Sequence, residues 1–138
     1  WVSGIGERVS GPVRLPRFDL ILIHPGVSIA TKWVYSQLKI ESLTSKDPAA
    51  SLPRAFESLA HVSEHLTNDL ESVVLPCYPE VREAKEALKT FKADAALMSG
   101  SGSTVFGLYS DPNKRDESLK VLKARHPKWW MSPAFNLS

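Results

Sequence analysis

The chain has 138 residues, of which 43% are apolar and 23% charged, and its 17 basic and 15 acidic side chains leave a net charge of +2. That length suits one domain with a proper core, and so small and evenly spread an excess of charge argues against nucleic acid or a membrane surface as partner. No apolar run reaches bilayer-spanning length, and the single Cys77 excludes an internal disulfide and reads as a small buried hydrophobe in a reducing, cytoplasmic setting.

The chain opens at Trp1, and WVSGIGERVSG reads as the end of a strand and a turn, so a piece of a longer protein is expected. Residues 1–16 are rich in Gly, Pro and charge and have little to bury. FDLILIHPG (Phe18–Gly26) is an apolar, β-branched run stopped by Pro25 and Gly26, the pattern of a buried strand ending in a turn. Thr31–Leu38 has the length of a two-turn helix, with Ser28 as its candidate cap. Ile40–Leu52 reads as a loop, and Pro53 suits the first residue of a helix. Phe56, Leu59 and Ala60 recur at helical spacing, and Leu66, Leu70, Val73 and Val74 make a second apolar stripe. Pro76 and Pro79 bracket Cys77-Tyr78 and break the helical run. From Glu80 the period is clean, with Val81, Ala84, Leu88 and Phe91 on one face of an amphipathic helix. Two short strands, Ala95–Met98 and Val105–Tyr109, come next. Asp111-Pro112-Asn113 starts a helix anchored by Leu119 and Leu122 and ending near His126-Pro127. Trp129–Phe135 closes the chain as a strand, confined by Pro133 to an edge or a bulge. The order predicts an α+β, ferredoxin-like fold: an antiparallel sheet with helices packed on one face.

Between the paired strands lie residues with almost no side chain: Ser99, Gly100, Ser101, Gly102, Ser103, then Thr104. Glycine admits positive φ and close approach, and alternating Ser and Gly can aim several N–H groups at one anion. Pattern alone leaves two readings, a wall of a phosphate site or a plain hairpin turn of small polar residues. The loop is neither a Walker A motif, since no Lys follows Gly102, nor a dinucleotide fingerprint.

Four segments, GIGE (Gly4–Glu7), HPGVSIAT (His24–Thr31), NDLE (Asn68–Glu71) and ALMSGSGSTVFGLY (Ala96–Tyr109), carry a resemblance over nearly the whole chain. In order and spacing they resemble the C-terminal half of the GHMP small-molecule kinases that act on 4-diphosphocytidyl-2-C-methyl-D-erythritol. The resemblance implies transfer of the γ-phosphoryl of ATP to the 2-hydroxyl of that substrate, in the non-mevalonate route to isoprenoids. It divides the chain into residues 1–16, the tail of an N-terminal lobe, and residues 17–138, the C-terminal or substrate lobe. It places Ser99–Thr104 near the transferred phosphoryl, bare so that phosphate, substrate and the other lobe can come close. It places an aromatic that stacks on cytosine at Tyr35, with Thr31 and Lys32 nearby; Lys32 stands where the family often has proline. ATP and Mg²⁺ are expected to be held mainly by the N-terminal lobe, and the catalytic Asp to lie upstream of Trp1. No catalytic residue is therefore expected in this chain, and the chain alone is expected to be inactive.

Other constellations carry less. His61 and His65 share helical spacing, but HVSEH is not the metalloprotease order and lacks an evident third ligand. His24 reads as a hydrogen-bonded structural residue. Ser101 fits a nucleophile elbow only loosely. Trp129-Trp130 reads as core and edge packing, and the charged runs Lys114–Glu117 and Lys120–Arg125 as a solvated helix face. Two alternatives stand beside the kinase lobe: a stand-alone ferredoxin-like regulatory or ligand-binding module, and an RNA-binding sheet, which Phe106 without neighbouring Lys or Arg supports poorly.

Overall fold

The computed structural model describes residues 2–3, 8–9, 16–38, 58–64 and 66–136. GIGE, the expected loop over Ile40–Leu52, the helix start at Pro53, Phe56, His65 and the side chain of His61 lie outside the described residues. A small ribbon opens the chain: β1 (Val2–Ser3) pairs antiparallel with β2 (Arg8–Val9), as the strand end and turn in this segment predict.

The main sheet has four strands, β3 (Asp19–His24), β4 (Ala95–Met98), β5 (Val105–Tyr109) and β6 (Trp130–Phe135), in the order β4-β5-β3-β6. Every neighbouring pair is antiparallel. This is the ferredoxin-like order, with β3 and β5 in the centre and β4 and β6 at the edges. Pro133 sits in edge strand β6 opposite Ile21, where its missing N–H costs the ladder nothing.

Directly opposed residues share a face. Ile21 and Ile23 of β3 therefore point the same way as Val105, Gly107 and Tyr109 of β5, Met98 of β4 and Met131 of β6. Against that face lie α1 (Thr31–Gln37), α3 (Glu71–Cys77), α4 (Pro79–Thr90) and α5 (Pro112–Arg125), burying Val34, Val74, Val81, Ala84, Leu88 and Leu122 completely. The stripe predicted from Val81, Ala84 and Leu88 is the contact face of α4. The carbonyl of Phe91, at the end of that helix, accepts from the Tyr109 hydroxyl (3.0 Å) and the Ser118 hydroxyl (2.7 Å), sewing α4, β5 and α5 together. Burial pushes the Tyr109 phenol above its ordinary range.

Four helices thus meet the expectation of a layer on one face. Helix α2 (Leu59–Glu64) adds a smaller cluster, in which Leu59 and Val62 pack with Phe18, Leu20, Phe106 and Leu108 of the opposite face.

Several local expectations are corrected. Ala30, not Ser28, precedes the first turn of α1, without a side-chain cap; Ser28 lies too far upstream to reach its N–H groups. The helical run breaks at Tyr78, between the two prolines as expected, although Pro76 itself lies inside the last turn of α3. Cys77, at the end of α3, is exposed rather than buried. Arg115 does not belong to a solvated face: it is largely buried, 3.6 Å from Asp19. The reading of Trp129-Trp130 as core and edge packing holds: Trp129 packs against the core and stacks on His126, and Trp130 starts the edge strand β6, 57% exposed.

Candidate functional site

Residues 99–104 close the β4–β5 hairpin. Gly100 (φ +55°) and Gly102 (φ +88°) adopt left-handed conformations that favour glycine. A Cβ on Gly102 would lie 3.0 Å from Met98 Sδ and 3.2 Å from Ile29 Cδ1, whereas one on Gly100 meets open space. The two glycines therefore serve differently: Gly102 lets the loop lie down on Met98 and Ile29, and Gly100 leaves the tip uncovered. The Ser99 N–H donates to the Thr104 carbonyl (2.8 Å) and the Gly102 N–H to the Ser99 carbonyl (3.0 Å). Among the described residues, the Gly100 and Ser101 N–H groups have no hydrogen-bond partner.

Side chains from three other segments hold this loop. The Asn68 amide nitrogen donates to the carbonyls of Met98 (2.8 Å) and Gly100 (2.7 Å). Glu71 accepts the Met98 N–H (2.7 Å) on one carboxylate oxygen and meets Lys85 Nζ (2.6 Å) with the other. At the far end Ser103, 4% exposed, donates its hydroxyl to the Val27 carbonyl and places it 3.3 Å from His24 Nε2. The Gly26 N–H donates to His24 Nδ1 (3.1 Å), which puts the proton of a neutral His24 on Nε2 and makes it the donor to Ser103. His24 thus plays the structural role read for it. Ser103 turns inward and spends its hydroxyl on the turn after β3, away from the open side.

The open side joins the loop to α1. Thr31 Oγ1 and Ser101 Oγ are 2.9 Å apart. Tyr35 lies one helical turn beyond Thr31 on the same face, 42% exposed. Lys32, beside Thr31, is exposed too. Trp33 instead turns toward the helix layer and meets Tyr78 edge-on, with ring centres 5.8 Å apart. Of the predicted residues, Thr31, Ser101 and Gly100 are thus drawn together, with Tyr35 one turn along and Ser99 and Thr104 at the loop's base. The arrangement can offer an anion two N–H groups and two hydroxyls, and a planar ring one exposed aromatic. Among the described residues no three His, Cys, Asp or Glu side chains converge as metal ligands. Sequence reasoning gave no role to Asn68, Glu71 or Lys85. NDLE stood out only as a matching segment, and nothing local signals that its side chains bind a backbone some thirty residues away.

Residues 48–128 match the family model described as GHMP kinases C terminal. A relative from Citrifermentans bemidjiense, 4-diphosphocytidyl-2-C-methyl-D-erythritol kinase, is 45% identical over 124 residues, which cover 89% of this chain and 43% of that protein. A protein of the same name from Geobacter sulfurreducens is 39% identical over 123 residues, with the same coverage. The chain therefore spans less than half the length of these curated relatives. Among solved structures, a 4-(cytidine 5'-diphospho)-2C-methyl-D-erythritol kinase superposes with a TM-score of 0.77 at 27% identity, over 98% of this chain and 48% of that one. Mevalonate kinase from L. major, at 16% identity and a TM-score of 0.58, shares the fold over 91% of this chain and 44% of its own.

Proposed function

The chain belongs to the GHMP kinase C-terminal family, and from that premise we propose that it is the substrate lobe of a cytoplasmic, ATP-dependent kinase that phosphorylates the 2-hydroxyl of 4-diphosphocytidyl-2-C-methyl-D-erythritol. The observation that carries the proposal is the contact between Thr31 and Ser101, which makes α1 and the glycine loop one continuous open surface. On this reading Tyr35 takes the cytosine ring by stacking, and Thr31 and Lys32 face the diphosphate. The Gly100 and Ser101 N–H groups then lie where the transferred phosphoryl passes, favouring the charge that develops there. The hydroxyl oxygen attacks the γ-phosphorus, the bond from phosphorus to the ADP oxygen breaks, and ADP leaves. The residues that hold ATP, and the one that takes the hydroxyl proton, are assigned to the part of the protein outside this chain. So is the Mg²⁺ site. When bound, Mg²⁺ neutralises charge on the β- and γ-phosphates. The 138 residues alone are accordingly expected to show no turnover.

Steady-state kinetics on the full-length protein test this reading. Tyr35→Ala is expected to raise KM for the cytidine substrate by about tenfold, the scale of one lost base–aromatic stack, and to leave KM for ATP within about twofold. Tyr35→Phe, which keeps the ring, should behave as wild type. Unchanged constants in Tyr35→Ala would remove the stacking assignment; a full-length protein that does not phosphorylate the cytidine compound would remove the kinase reading.

A further inference from the structure

Among the described residues, strand β4 is a sheet edge and Met98 has no strand neighbour on its outer side. Two side chains take that place: Glu71 accepts the Met98 N–H, and Asn68 donates to the Met98 carbonyl. Asn68 then reaches two residues further, to the carbonyl of Gly100. The orientation of its amide is fixed, because its oxygen accepts the Leu70 N–H (3.0 Å), which leaves the NH₂ facing both carbonyls. The Glu71 carboxylate is held in turn by Lys85 of α4, and the two side chains are only 13% and 14% exposed.

The consequence lies in one peptide plane. In a trans peptide the carbonyl and the following N–H point in opposite directions. With the Gly100 carbonyl drawn to Asn68, the Ser101 N–H must point away from Asn68, and Ser101 Oγ meets Thr31. We propose that Asn68 is a positioning residue that aims the Ser101 N–H at the transferred phosphoryl group, and that Glu71 and Lys85 hold β4 in the register this requires. The proposal rests on the kinase reading.

The test is kinetics on the full-length enzyme, with active sites counted by calorimetric titration of the cytidine substrate, alongside thermal unfolding. Asn68→Asp keeps the shape but turns a carboxylate toward two carbonyls, and Asn68→Ala removes the donors. Each is expected to lower kcat per active site by about tenfold or more, the scale of a misaimed transition-state donor, with KM for the cytidine substrate within about twofold. A purely structural role would instead lower the melting temperature and the number of active sites while leaving kcat per active site unchanged, and that result would overturn the proposal. Lys85→Met is expected to lose kcat in the same way and Lys85→Arg to retain most of it; equal loss in both would overturn the part given to Lys85. An active wild-type enzyme with unaffected variants removes the positioning role alone. A wild type that does not phosphorylate the cytidine compound removes the kinase reading and this proposal with it.

Discussion

Gly102 and Gly100 share a loop and a sign of φ, yet a side chain would do different harm at each. At Gly102 a Cβ strikes Met98 and Ile29 beneath the loop, so the packing under the loop is itself an obstacle to Gly102→Val. At Gly100 the space is open and the cost of Gly100→Ala is that of a non-glycine residue in the left-handed region, about 1–2 kcal/mol. In the full-length enzyme Gly102→Val is therefore expected to lose the larger part of its kcat and to shift backbone amide signals across the loop. Gly100→Ala should keep the loop in place with a milder loss. Equal losses would mean that the outer approach, rather than the seat on Met98, decides what the loop tolerates. The same distinction applies to its serines. Alike in sequence, Ser101 faces the open side and Ser103 is consumed by His24 and Val27. A hydroxyl's partner depends on where the chain folds back, which no local pattern records.

At the scale of elements, α4 carries its own instructions. Val81, Ala84 and Leu88 repeat at the helical period, Pro79 suits a first turn, and the apolar stripe has one stable place, against the sheet. How closely it lies there depends on Gly107 of β5. A Cβ at Gly107 would sit 2.9 Å from Leu88 Cδ2 and 3.2 Å from the Ala93 Cβ, so the fully buried Leu88 side chain would have to shift. Gly107→Ala is expected to cost about 1–3 kcal/mol by overpacking, seen as a lower urea midpoint at an unchanged m-value. An unchanged midpoint would show that α4 can ride up without loss. The period of α4 was legible in the sequence because both causes are local. The need for glycine at residue 107 was not, because its cause lies on another element. The lower hydrophobic cluster was missed for a related reason: Leu59 and Val62 follow the helical period, but the period does not say which face of the sheet receives them.

Across the whole molecule, Arg115 joins α5 to two strands. Its guanidinium lies 3.6 Å from the Asp19 carboxylate of β3 and donates to the Ala134 carbonyl of β6 (2.8 Å). Arg115→Met strands Asp19 in a buried setting and is expected to cost about 3 kcal/mol, with much of the loss recovered in Asp19→Asn/Arg115→Met. If the double variant lost as much as both single variants together, the two groups would not be coupled. By itself the sequence determined the strands, the amphipathic α4, the edge character of β6 and the order of elements that leads to a ferredoxin-like sheet. These arise from periodicity, turn residues and proline, which act over a few neighbours. Its four matching segments also pointed to the GHMP kinases. Only the tertiary structure decided that the Arg115 side chain is largely covered, that Tyr35 stands clear while Trp33 packs, and that Asn68 and Glu71 hold the glycine loop. Each of those outcomes is a meeting of groups far apart in the chain, and its energy exists only once the sheet and helices have brought them together.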